Sequence, residues 1–443
     1  MKIGAPIFLA LLLAGSIPPA NAVTLDAALA QTLEKNPQIL QAKTVLESAA
    51  GERLILRSAA FPKGLIGGIA GDQGGQRGGA SSNQPFAFAY GSFLQPLFHA
   101  EIPASFRRGD VALLIAQQQL NMTVVEELHK ARLAFYSALY NRSLESLGQT
   151  QRARLEENIA GEKARYEAGQ SERGALTAAT LLARELDPRI ESARNAYGAA
   201  IVQLAQSMGH SLGPGAMLPS AEGSLEFQPV DLHWQDEVDR ALERRVDLKL
   251  ARLLVRAARE DQRIIAAGYY PALDAVASGE AIPVSGIHRD SGGSPQASDD
   301  TVASEVRGGA AYTWHVIDNG EVSGAVSRQR AARETNELQL QKLEANVPRE
   351  LARLQNNLLA LAARHRSLAQ AADGAERNVA SVQENRAQGL ASVLDFRNAE
   401  SSLLVTRRGI LTAIFEQKVA LAEWDRATGR YFQFSNDTAE KVH

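Results

Sequence analysis

The chain has 443 residues, of which 45% are hydrophobic, 22% charged and 6% aromatic, a composition that excludes a disordered polymer. A net charge of −3, a pI near 6.3 and the lack of any basic stretch interleaved with aromatics exclude a nucleic-acid binder. Cysteine is absent, which rules out disulfides, thiolate metal sites, a cysteine nucleophile and a lipid-anchored N-terminal cysteine.

The N-terminus reads as an export signal. Lys2 supplies the positive charge, Ile7 to Leu13 the apolar run, and Ala20-Asn21-Ala22 an A-x-A cleavage site, giving a signal peptide over 1–22. Its removal leaves a net charge of −4, because Lys2 is its only charged residue. With mean hydropathy at −0.19, no helical membrane span is expected beyond it.

Beyond the signal, the chain is written twice. Ala28 to Phe61-Pro62 reads as a helix, then the start of something extended, and Val238 to Tyr270-Pro271 repeats it at an offset of 209. Phe93 to Phe98 matches Tyr312 to Ile317 at 219, and Gly169 and Gly209 match Gly389 and Gly429 at 220. The drift falls between Asp72–Gln84 and the longer Ile282–Glu305, both Gly/Ser-rich, so these are expected to be hairpin loops. The expected organisation is one repeat over 23–222, a second over 223–435, and a tail over 436–443.

Each repeat reads helix, strand, loop, strand, long helix, glycine turn, helix. The strands are expected at Gly64–Gly71, Phe86–Leu97, Ala272–Glu280 and Gly308–Ile317. Phe86, Phe88 and Tyr90 alternate with small residues, as do Tyr312 and Trp314, but Phe93 is out of phase with Tyr90. A bulge near Gly91-Ser92 would reconcile the two phases. No G-K-[ST] follows the glycines after Gly64, so a phosphate loop is rejected.

From Pro103 to Gly169 and from Gly320 to Gly389 the pattern is that of long helices. Leu340, Leu343, Val347, Leu351, Leu354, Leu358, Leu361 and Leu368 step by threes and fours, with His365 the one empty slot. As a helix each stretch would run roughly 100 Å. A globule of this length is only about 55 Å across, so an elongated protein of helices packed as a coiled coil is expected. Pro188 and Pro348 should bend helices rather than end them.

Four strands cannot close a barrel, and an open sheet has unpaired edges. In an exported protein, pooling strands between copies resolves this: two copies give eight strands, three give twelve and four give sixteen. Strands of about eight to twelve residues suit an outer-membrane barrel.

This layout resembles the TolC-like outer-membrane efflux protein family. The residues that carry the resemblance are Ser92-Phe93-Leu94-Gln95-Pro96-Leu97-Phe98, Tyr312-Thr313-Trp314-His315-Val316-Ile317-Asp318-Asn319-Gly320, Arg165-Tyr166-Glu167-Ala168-Gly169, and Gly389 with Val393-Leu394-Asp395 and Ala399. It covers essentially Val23–Gly429. The resemblance implies a mainly α fold with a minor β part: a long antiparallel coiled-coil tunnel, and four strands per chain in a shared trimeric twelve-stranded barrel. It implies a homotrimer in the outer membrane, reaching into the periplasm and embedded in outer-membrane lipid. Its partners would be a periplasmic adaptor and an inner-membrane transporter of an efflux or type I secretion system, with the cargo left open.

Within that resemblance, Gly169 and Gly389, with Tyr166 beside the first, are the tips expected to meet the adaptor; as residues they read simply as turn glycines. Asp395 matches an acidic position at the tunnel's mouth, where three copies would form a cation-favouring ring; its plain reading is a solvated carboxylate or helix cap. The next acidic position of the family is Asn398 here, and the first repeat has Ala175 after Glu172 and Arg173. Arg386 stands where an aromatic residue is common. Glu172, Arg386, Asp395 and Asn398 are therefore the gate candidates, and Phe86, Phe88, Tyr90, Phe93, Tyr312 and Trp314 the barrel residues.

Catalysis finds no support. The eight histidines are scattered without ligand spacing, and there is no G-x-S-x-G elbow, so no metal, cofactor or enzymatic activity is expected. The competing reading is a structural or adhesive envelope coiled coil without a pore.

Overall fold

The computed structural model describes residues 22–77, 80–211, 213, 217–284 and 301–431. Of the signal peptide only Ala22 falls among them, and the 436–443 tail lies outside the described residues. Ala22–Val23 (β1) pairs in parallel with Ser220–Ala221 (β4).

The expected first helix is two, Leu25–Lys35 (α1) and Pro37–Ser58 (α2), with an elbow at Asn36 (ψ 125°). A residue before proline is pushed out of the α region, and the Pro37 ring fits the first helical position, so the break is local chemistry. The second repeat breaks at the matching place, Arg245 (ψ 128°), between Trp234–Arg244 (α6) and Val246–Ala266 (α7). There no proline follows; instead Arg245 reaches Glu350 at 2.5 Å and the Ala427 carbonyl at 3.4 Å.

Lys63–Arg77 (β2), Ala80–Phe98 (β3), Ala272–Val284 (β5) and Thr301–Thr313 (β6) form one antiparallel sheet in the order β2-β3-β5-β6. Three sequence expectations fail here. Asp72–Gln84 is not a loop, because the β2–β3 ladder runs to Arg77↔Ala80; of Ile282–Glu305 the two ends are paired as far as Val284↔Thr301, and 285–300 lie outside the described residues. Gly and Ser mark turns in soluble proteins, but in a ladder they need only donate and accept backbone hydrogen bonds. No bulge lies at Gly91-Ser92; the register shifts between Pro96 and Phe98, where proline cannot donate to the ladder. β6 ends at Thr313, so Trp314 lies outside the strand, its indole N–H donating to the Tyr269 carbonyl at 3.3 Å.

The long helices are Ile102–Glu167 (α3) and Glu321–Ala387 (α8). α3 is followed by Arg173–Arg184 (α4) and Asp187–Ser207 (α5), α8 by the unbroken Val393–Ala427 (α9). Pro188 thus marks a break between two helices rather than a bend within one, while Pro348 is carried inside α8. The leucine series holds: Val347, Leu351, Leu354, Leu358 and Leu361 are buried.

The chain divides into two compact units, and each takes residues from both repeats. One comprises 43–120 and 246–345. In it ion pairs lay the helices side by side: Arg53–Asp110 joins α2 to α3, Arg107–Glu260 and Arg108–Asp261 join α3 to α7, and Arg252–Glu344 and Arg259–Glu337 join α7 to α8. That order, α2-α3-α7-α8, is the order of the strands. The other unit, from 121–245 and 346–431 with the N-terminal stretch to Ala42, has a core of Ala28, Phe135, Leu139, Ile201, Leu204 and Met208. The segment between β4 and α6 lies across it as a strap. Phe227 stacks on His365 at 4.1 Å, Gln417 exchanges two hydrogen bonds with the Gln228 backbone, and Trp234 N–H donates to Gln355 at 2.8 Å.

Candidate functional site at the helical hairpin turns

Both hairpins turn through the same motif. Gly169 (φ 72°) and Gly389 (φ 76°) follow the last helical turn. The Gly169 N–H donates to the Tyr166 carbonyl and the Gln170 N–H to that of Arg165; Gly389 and Leu390 do the same with Arg386 and Asn385. This is the Schellman closure, which requires a left-handed residue and so favours glycine. A side chain at either glycine would meet open space, so conformation alone selects the residue. Around the turns Tyr166, Leu390 and Leu394 are exposed.

Asp395 is the third residue of α9 and forms a capping box with Ser392. The Ser392 N–H and hydroxyl donate to its Oδ2 at 2.9 and 2.7 Å, and its own N–H donates to the Ser392 hydroxyl at 3.2 Å. The Ser392 hydroxyl, then its backbone N–H, hold this exposed carboxyl below the usual aspartate range. Asn398 is exposed one turn on, and Glu172 precedes α4 without a side-chain cap bond.

Arg386 does something the sequence did not indicate. It is buried, pairs with the buried Glu162 of α3, donates to Asn158 at 2.5 Å, and lies over the Phe396 ring at 5.2 Å. Ser171 donates to the other Glu162 oxygen at 3.0 Å, and Arg165 to the Arg386 carbonyl at 3.4 Å. Arg386 occupies the place that Tyr166 holds in the first repeat, one exposed and aromatic, the other buried and charged. A second buried carboxylate, Glu400 of α9, accepts from Gln151 and pairs with Arg154 at 3.3 Å, while Arg397 pairs with Glu185 at 3.0 Å. Leu155, Leu186, Ile190, Val379, Phe396 and Leu403 pack beneath these links. The two hairpins are thus held together by a shared apolar core and polar links at several levels.

Of the gate candidates, the structure places Arg386 on Glu162 and Asp395 on its own helix cap, and among the described residues no side-chain hydrogen bond or ion pair joins Glu172 or Asn398 to either. Glu162, Asn158 and Glu400 escaped the sequence reading; the available signal was an arginine standing in an aromatic's slot, which needs a carboxylate opposite. Among the described residues no group of three or more His, Asp or Glu could hold a metal ion.

Residues 238–430 match the family model described as outer membrane efflux protein. The fold matches the outer membrane protein VceC of Vibrio cholerae at TM-score 0.75 and 16% identity, over 91% of this chain and 96% of that one. It matches the CmeC outer membrane channel of Campylobacter jejuni at 0.79 and 12%, over 100% and 96%. It also matches the open-state MtrE outer membrane channel of Neisseria gonorrhoeae at 0.73 and 16%, over 91% and 88%. No curated protein sequence matches the chain.

Proposed function

We propose, from the outer membrane efflux protein match over residues 238–430 and the fold shared with outer membrane channels, that this chain is the exit duct of a tripartite efflux or type I secretion system. One observation carries the reading: a four-stranded sheet open at β2 and β6 is joined to two long helical hairpins. Unpaired edges of this length would draw aggregation unless another chain covered them. Three copies, pairing β6 of one with β2 of the next, give twelve strands and a water-filled barrel in the outer membrane. The hairpins line the periplasmic passage, and each repeat supplies one tip per copy.

At those tips an adaptor linked to an inner-membrane transporter meets Gly169, Gly389 and Tyr166, where Leu390 and Leu394 add exposed apolar surface. Asp395 contributes one carboxylate per copy at the mouth, with Asn398 three residues on and Glu172 at the matching turn of the first repeat. Arg386 acts behind that surface, clasping the two hairpins of one copy. The chain conducts passively and carries out no reaction.

Reconstitution in a planar bilayer, with electrophoresis of heated and unheated samples, tests the proposal. Ion conductance and a heat-sensitive trimer are expected. A non-conducting, water-soluble monomer would overturn it and favour the adhesive coiled coil. Asp395→Lys should lower cation selectivity in the same bilayer; unchanged selectivity removes Asp395 from the mouth.

A further inference from the structure

Cross-strand partners, and residues two apart along a strand, point to one face of a sheet. The register therefore sorts the described side chains of β2-β3-β5-β6 into two sets. Lys63, Asp274, Glu280, Glu305 and Arg307 all fall on one face, since Lys63 pairs with Leu94, Leu94 with Val276, Glu280 with Glu305 and Ser278 with Arg307. Tyr90, opposite Glu280, shares it and lays its ring over Gly67. The other face holds Ile66, Phe93, Leu273, Ala277, Val306 and Tyr312, and Asp72 is its one charged residue among the described side chains. Asp72 sits opposite Pro85, and Tyr312 lies across the sheet at the level of Phe98. At a strand tilt of about 40° this uncharged strip is roughly 30 Å tall, more than the ~25 Å apolar band of an outer-membrane barrel.

We propose that the charged face lines the water-filled pore, that the uncharged face contacts lipid, and that Glu280, Glu305 and Arg307 form a charged station for small hydrated ions inside the barrel. The reading rests on the outer-membrane channel proposed above and goes beyond it, since a barrel could face either way. Five charged side chains per chain cannot be turned toward hydrocarbon, whereas a pore wall solvates them. At the station Arg307 donates to both oxygens of Glu305 at 2.7 Å, while Glu280 stands directly opposite Glu305. Each chain thus presents a net single negative charge there, which three copies multiply, and cations are favoured.

The chain contains no cysteine, so single thiols can be introduced without further change. Ser278→Cys and Ala311→Cys lie on the charged face, Ala277→Cys and Ala310→Cys on the other. A membrane-impermeant, anionic methanethiosulfonate applied to the reconstituted trimer should modify the first two at least ten-fold faster and lower their conductance. The second two should react only with a lipid-soluble maleimide. The inverse pattern, or equal rates at all four, overturns the assignment. Labelling in proteoliposomes needs no current, so a protein that inserts with this alternation but does not conduct fails the duct proposal and leaves the facing intact. Glu280→Gln should shift the reversal potential in a salt gradient toward lower cation selectivity, and an unshifted potential removes Glu280 from the station.

Discussion

Arg386 and Glu162 are the most consequential side chains at the hairpin turns. Both are buried, so removing either one strands an unpaired charge, a loss of about 3–5 kcal/mol by comparison with other buried pairs. Arg386→Leu should therefore lower the urea midpoint sharply and deprotect the tips in hydrogen exchange. The double variant Glu162→Leu with Arg386→Leu should recover most of the loss, because two matched apolar groups leave no orphan. Asp395 behaves differently. Its hydrogen-bonded carboxylate keeps a depressed pKa, so the stability it contributes is present above the ordinary aspartate range and is lost as pH falls through the lower folded value. Exchange protection of the Ser392 and Asp395 amides should persist from neutral pH to about 4 and decline below it, and Asp395→Asn should lose protection throughout. The sequence made the cap visible, as Ser392 three residues before Asp395, but hid the clasp, whose partners stand 224 positions apart.

The four helix-ending glycines share a backbone form but not a neighbourhood. Gly389 faces open space, whereas a Cβ at Gly209 would collide with the Lys35 carbonyl, and one at Gly429 would lie 2.9 Å from the Arg244 Cβ. Lys35 and Arg244 are the matching residues just before the two elbows, so the return helix of each repeat docks beside its own elbow. Gly389→Ala should cost about 1–2 kcal/mol, the left-handed penalty alone. Gly209→Ala should cost clearly more, and thermal melts of the two variants would rank them. Helix existence was legible because the Leu340–Leu368 series keeps its period over many turns. The elbows were read through, since the apolar pattern continues on either side of them: Pro37 marks the one at Asn36, while nothing in the sequence marks the one at Arg245. Strand lengths were missed for another reason: glycine and serine at a hairpin end carry the signature of a loop, yet ladder hydrogen bonds do not depend on side chains.

At the scale of the whole chain, two histidines set a dependence on pH. Burial lowers the pKa of His129, which bonds Tyr431 and Glu423 and has Arg132 and Arg426 close by, and burial lowers that of His365. Unfolding lets both take up protons near their ordinary value of about 6.5, so stability is full above that pH and declines as pH falls below it. Urea midpoints measured from pH 7.5 to 5.5 should fall, and His129→Gln with His365→Gln should flatten the slope. His365 also shows what a single sequence can and cannot disclose. The empty slot in the leucine seam was evident; Phe227, which stacks on His365 there, comes from the segment between β4 and α6, which has no periodicity to announce where it lies.

That strap has a consequence for how the polypeptide could be divided. Its residues Phe227 and Gln228, with Trp234 at the start of α6, are anchored to α8 and α9, inside the second half, while Ala221 of β4 accepts from Arg142 within the first. Severing the chain after Glu222 would leave each of these hydrogen bonds and the Phe227 stack within one fragment, while Leu225 of the second would still pack on the first fragment's core. The fragments would still meet through the Leu155–Phe396 core and the Glu162–Arg386 pair. Coexpressed as separate polypeptides, 23–222 and 223–431 should therefore copurify as a complementing pair, one protein made from two messages.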